Sequence, residues 1–160
     1  MKEKLRRIHS IPLEFNEKIF MKAGDYRIYR DAVIITPGVH TDSVSMMPIT
    51  YTQEALARYG ARWTDNNLNV DHFQDTMSHI GFVYNGCFYN GAVCGDLYIN
   101  PHTQKGRDVI TKIDMGELNH LSAELLSYEE WEGDSIYATD IEFVGCAVTR
   151  NPADPQTRIT

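Results

Sequence analysis

The sequence predicts a mainly β, α+β fold: a small antiparallel β-barrel with short helices packed outside it. Three observations carry this. Short runs rich in β-branched and aromatic residues recur along the chain, Asn-Gly pairs stand between such runs at 85–86 and 90–91, and few stretches show helical spacing. A doubly wound parallel sheet would need longer helices between most of its strands. A chain of 160 residues suits one domain with a single sizeable core.

Taken in order, "DYRIYRDAVIITPG" (25–38) reads as one or two strands ended by the breaker Pro37-Gly38. "TYTQEALARYGARW" offers Thr50 or Thr52 as a cap and predicts a short helix stopped near Gly60. "NLNVDH" (67–72) is a strand ending in a polar turn. "SHIGFVYNGCFYNGAVCGDLYINP" is expected to turn at both Asn-Gly pairs, because Asn-Gly between β-runs is a strong hairpin signal. Val109, Ile110 and Ile113 fall at helical spacing and predict a helix over 103–115. "HLSAELLSYEEW" and "SIYATDIEFVGCAVT" are two further strands joined by the acidic turn "EEWEGD".

Composition narrows the function classes. A hydrophobic content of 42% excludes a disordered chain, and no apolar run is long enough to span a bilayer. The basic N-terminus "MKEKLRRIHSIPLEF" is followed by no apolar h-region, so it is not a signal peptide and an intracellular protein is expected. A net charge of -7 argues against general nucleic-acid binding, which needs cationic surface; the patch Lys2, Lys4, Arg6 and Arg7 reads as an arm. Cys87, Cys94 and Cys146 form no CxxC pair, which disfavours a zinc ribbon or a disulfide framework and favours buried free thiols.

Strand alternation places His120, Ser122, Glu124 and Leu126 on one face, with Leu121, Ala123 and Leu125 on the core side. In the next strand it places Tyr137, Ile141 and Phe143 on the apolar face and Asp140 and Glu142 opposite. A hairpin of the two would bring a hydroxyl and carboxylates onto one sheet face. A nucleophilic serine needs a base within hydrogen-bond reach, itself oriented by a third group. The candidate bases are His40, His72, His79, His102 and His120; His72, at a strand end before a polar turn, can reach across a sheet. Asp71, His72, Asp75 and His79 form an alternative cluster for a metal-dependent hydrolase, although His spaced seven apart is no established ligand pattern.

The ordered segments "NVDHFQD…HIGFV", "LSAEL" and "IEFVGCAVTRNPADP" resemble the prohead (capsid-maturation) proteases of tailed phages, relatives of the herpesvirus assemblin proteases. The matching elements are His72 before a turn, Ile80-Gly81, Ser122 about fifty residues after the histidine, Val148-Thr149, and Pro152-Ala153-Asp154-Pro155. The resemblance spans roughly residues 26 to 157. It implies a herpesvirus-protease-like barrel and a serine endopeptidase that cleaves scaffold during capsid assembly, with its own chain as a candidate second substrate. Ser122 would be the nucleophile and His72 the general base.

In many phage members a glutamate lies about seven residues before the first proline of the closing signature. Here that position is Gly145. Glu142 is therefore the expected third member, with Asp140 as the alternative, and Arg150 the expected oxyanion-stabilising residue. The resemblance further implies no cofactor, scaffold and capsid proteins as partners, self-association, and action in the host cytoplasm inside the assembling prohead. The implied organisation is an N-terminal arm over 1–20, one protease domain over 21–157 and a tail over 158–160. A barrel of the same ancestry without catalysis, binding scaffold, is the rival reading.

Overall fold

The computed structural model describes residues 25–42 and 45–159; the expected arm with its basic patch lies outside them. The described elements run β1 (Arg27–Ile35), β2 (Gly38–Thr41), β3 (Pro48–Tyr51), α1 (Gln53–Tyr59), β4 (Trp63–Val70), β5 (His79–Tyr89), β6 (Ala92–Ile99), α2 (Gln104–Asp114), β7 (His120–Glu132) and β8 (Ser135–Thr149). Both helices begin at a capping threonine. Thr52 Oγ1 accepts from the Ala55 amide at 3.0 Å and Thr103 Oγ1 from the Gly106 amide at 3.1 Å. Each bond satisfies one orphan donor of a first turn, worth about 1 kcal/mol. Gly106, Val109 and Ile113 form the buried stripe of α2.

All strands belong to one curled sheet in the order β1-β6-β5-β4-β8-β3-β2, with β7 also paired to β8. The expectation of a wholly antiparallel barrel is corrected here: β8 pairs parallel with both β3 and β4. The fifteen residues of β8 let the two lie end to end along one of its edges, β3 against Tyr137 and β4 against Phe143 to Val148. Because they follow one another along the same line, the seven-residue α1 suffices to connect them. Side-by-side parallel strands would need a longer crossover.

The other edge of β8 carries β7 along its whole length. Beyond β7, the C-terminal segment completes the wall. Arg158 and Val33 exchange backbone bonds of 2.8 and 3.1 Å, and the Ile159 amide donates to the Asn119 carbonyl at 3.0 Å. Ile159 is 2% exposed, held against the sheet by these bonds.

Two core clusters fill the sheet. One gathers Leu68, Ile80, Leu97, Leu121, Cys146 and Val148 under α2; the other gathers Ile49, Leu56, Ile136, Ile141 and Phe143 under α1. Trp63 touches both and stacks on Phe143 with ring centroids 4.9 Å apart. Such a pair adds about 0.5–1.5 kcal/mol beyond its buried area.

Bulges explain where strict alternation misplaces residues. The β7–β8 register slips between Glu124 and Leu125 and again between Leu126 and Tyr128, and Asp140 has φ 47°. Each inserted residue reverses the parity of what precedes it. Ile136 and Ala138, not Tyr137, therefore join Ile141 and Phe143 in the core. The Asn-Gly pairs divide similarly. Asn90-Gly91 makes the β5–β6 turn as expected, but Asn85-Gly86 lies inside β5 as a bulge, with Asn85 at φ 56°.

That bulge is pinned by Asp96. Its carboxylate, on a residue 6% exposed, accepts from Asn85 Nδ2 at 2.9 Å, the Asp31 amide at 3.0 Å and Arg30 Nη1 at 3.2 Å. Burial raises the Asp96 pKa, but the three bonds outweigh it and leave the group below its ordinary value. A folded-state value below the unfolded one gives stability that is present above the unfolded pKa and lost as pH falls through the folded one. Asp96→Asn is expected to lower unfolding free energy by about 1.5–3 kcal/mol at pH 7, the range for bonds to a charged group. In urea denaturation the gap from wild type should close as pH falls below about 4.

Candidate active site

The loop after β4 turns sharply at two non-glycine residues in the left-handed region, Asp71 at φ 54° and His72 at φ 64°. Such backbone costs of order 1–3 kcal/mol per residue and persists only where the surroundings enforce it. Here the Asp71 amide donates to the Val148 carbonyl at 3.1 Å, the Phe73 amide to Val70 at 3.1 Å, and Asp75 caps Ser78. The loop is thus tied to β8 on one side and to itself on the other, and His72 is presented over the sheet with a side chain 35% exposed.

His72 Nδ1 donates to Glu124 Oε2 at 3.0 Å, so the opposite nitrogen, Nε2, is the one left to accept a proton. Glu124 lies two residues beyond Ser122 on β7, and both side chains leave the same face of that strand. Its carboxylate also accepts from Asn69 Nδ2, at 2.9 Å through Oε1 and 3.1 Å through Oε2, and from Gln74 Nε2 at 2.9 Å. A carboxylate meeting only donors is a fixed acceptor, able to hold one imidazole tautomer and orientation. No hydrogen bond joins Ser122 Oγ to the imidazole among the described residues.

Small residues on β8 make this arrangement possible. In register, Ser122 faces Ala147 and Glu124 faces Gly145, and across β8 these meet Asn69 and Asn67. Gly145 has φ 155°, and a Cβ there would lie 2.7 Å from Glu124 Oε1 and 2.7 Å from the Asn67 carbonyl oxygen. The Glu124 carboxylate occupies the space a side chain at 145 would fill.

The other expected residues lie elsewhere. Glu142 pairs with Leu126, four residues along β7 from Ser122 and so about 13 Å away. Asp140 is ion-paired with Arg62, whose guanidinium also feels the charge of Glu142. Neither is the carboxylate that meets His72; Glu124 is. Alternation puts Glu124 on the serine's face, so that signal was present in the sequence. Arg150 is exposed one residue past the Thr149–His120 pair at the end of β8.

His120 donates from Nδ1 to the Thr157 carbonyl at 2.8 Å and so anchors the C-terminal segment. His40 is buried, stacked on Tyr51 and bonded to the Thr36 carbonyl, while His102 lies in the turn before α2. His79 turns Nδ1 to Asn67 and packs edge-on to Phe82, and burial lowers its pKa. Among the described residues no three His, Cys, Asp or Glu side chains converge as a metal-ligand set. Cys146 is fully buried, and burial, with the Glu124 charge, pushes its thiol pKa well up, the reverse of an activated nucleophile.

No protein-family model and no curated protein matches the sequence. Among solved structures, the capsid assembly protease gp21 of bacteriophage T4 is similar, with a TM-score of 0.46 and 11% identity over 80% of this chain and 98% of that one.

Left-handed backbone at His72 gives a direct test of the local strain. His72→Gly relieves it while losing the bond to Glu124, so its melting temperature is expected within a few degrees of wild type. His72→Val places a β-branched residue in the same backbone and should lose about 1–2 kcal/mol more in thermal denaturation.

Proposed function

We propose that the protein is a serine endopeptidase of capsid maturation, cleaving scaffold protein inside an assembling prohead in the host cytoplasm. The observation that carries this reading is the bond from His72 to Glu124 on the face and strand of Ser122. His72 and Ser122, picked out by the ordered prohead-protease motifs, are then linked through Glu124, which strand alternation sets on the serine's face. The partners implied are scaffold and capsid proteins, with self-association, and no cofactor.

The chemistry follows from the proton positions. Ser122 Oγ attacks the scissile carbonyl and gives its proton to His72 Nε2. Glu124 holds Nδ1–H and stabilises the imidazolium that forms, without taking a proton itself. Collapse of the tetrahedral intermediate expels the amine, which takes the proton from Nε2 and leaves an acyl-serine. A water molecule, deprotonated by the same nitrogen, then releases the acid and restores the hydroxyl. Arg150 is the residue assigned to the developing oxyanion, where loss of one donor costs about 100- to 1000-fold in turnover.

Co-expression with the scaffold and capsid proteins tests the reading, with processing followed by gel electrophoresis. Ser122→Ala is expected to leave scaffold uncut while melting like the wild type, and His72→Ala to leave it uncut while still folding, with a melting temperature a few degrees lower. Arg150→Ala should slow processing by about 100-fold or more. Continued cleavage by Ser122→Ala would remove the peptidase assignment and leave a scaffold-binding barrel.

A further inference from the structure

We infer that Asn69 is a positioning residue of this site, its buried amide reaching across β8 to set the Glu124 carboxylate against His72. The inference rests on the peptidase reading and gives a role to a residue that heads the segment "NVDHFQD" but has none among its matched elements.

Asn69 is 0% exposed in β4, beside the equally buried Leu68. A primary amide in such surroundings is costly unless its polar atoms are bonded. Its bonding is one-sided. Nδ2 donates to both carboxylate oxygens of Glu124, whereas Oδ1 meets no donor among the described residues. The residue is held in place for its donors. With a carboxylate opposite, only one orientation of the amide is acceptable, since the reverse would set its carbonyl oxygen against the carboxylate.

The reach is long, and the sheet is shaped for it. Asn69 and Glu124 stand on strands separated by β8, about 10 Å apart at the backbone. The β8 residues crossed are Gly145 and Ala147, which leave a trough where larger side chains would block the contact. Within it Glu124 Oε2 takes bonds from Asn69, Gln74 and His72, and Oε1 one from Asn69. Gln74 is exposed and Asn69 is not, so Asn69 is the rigid member of the pair of amides. Removing it frees the carboxylate to rotate, and the imidazole loses the partner that fixes its orientation.

The test measures reaction of Ser122 with a fluorophosphonate. The serine oxygen bonds to phosphorus, fluoride leaves, and the serine's proton passes to His72. Asn69→Leu keeps the volume without donors, and Asn69→Asp keeps the shape. Both are expected to lower the limiting labelling rate by about 10- to 100-fold, the scale for small misplacement of a reacting group. The half-saturating probe concentration should stay the same. In the same variants the NMR signal of the His72 Nδ1 proton should broaden or vanish through exchange with water, a change that general loosening of the core would not confine to this proton. If the leucine variant does not fold, the isosteric aspartate variant carries the test alone. Labelling within twofold of wild type with the Nδ1 signal retained would overturn the role of Asn69 and leave the peptidase intact. A wild-type protein whose Ser122 is unlabelled, and whose Ser122→Ala variant still processes scaffold, would overturn both.

Discussion

One strand with two partners on a single edge sets the architecture. β8 accepts β3 and β4 end to end, so it must be long, must run parallel to both, and must bend to follow the curl of the sheet. The bends come at its register slips, near Asp140 and Gly145. The first is braced by Arg62, which bonds to Asp140 and whose carbonyl receives the Phe143 amide at 2.9 Å. The second has no side chain at all, and the His72–Glu124 corner is built over that gap. A straighter β8 would give up either one neighbour or the space in which Glu124 lies.

The corner also joins rigid and strained parts in a definite division of labour. Ser122 and Glu124 ride on β7, paired to β8 along its length, while His72 is delivered by a loop in unfavourable backbone. A site built on strands is precise but cannot reach far above the sheet. A loop can reach, but needs anchoring. Bonds to Val148 and within the loop supply that anchoring, and the carboxylate of Glu124 supplies the final alignment.

Much of the local structure was legible in the sequence because its signals are local. Thr52 caps a helix, Asn90-Gly91 turns a hairpin, and Leu121 lies in the core as their patterns predict. Alternation failed in the first half of β8, where bulges reverse parity and no residue type announces them. Asn85-Gly86 misled for a related reason: the positive φ that suits Asn in a turn also suits it in a bulge. At the site, His72, Ser122 and Glu124 were all in view, but the family pattern directed the search for an acid to the strand of Gly145. In the structure the carboxylate that meets His72 is Glu124, on the neighbouring strand. Asn69 opens the segment "NVDHFQD", but a polar residue in a strand reads as solvent-facing until the far side of β8 is known.

Trp63 offers an optical consequence of the way the two core clusters meet. It is one of two tryptophans, and its ring lies flat on Phe143 and against Gly86, in contact with both clusters. The other, Trp131, sits 54% exposed near the tip of the β7–β8 hairpin. Emission from the protein therefore has a component from a half-buried, ring-stacked indole and one from an exposed indole. A blue-side signal that disappears on gentle warming, while the sheet's circular dichroism persists, would mark the seam as the place where the two halves of the barrel part company.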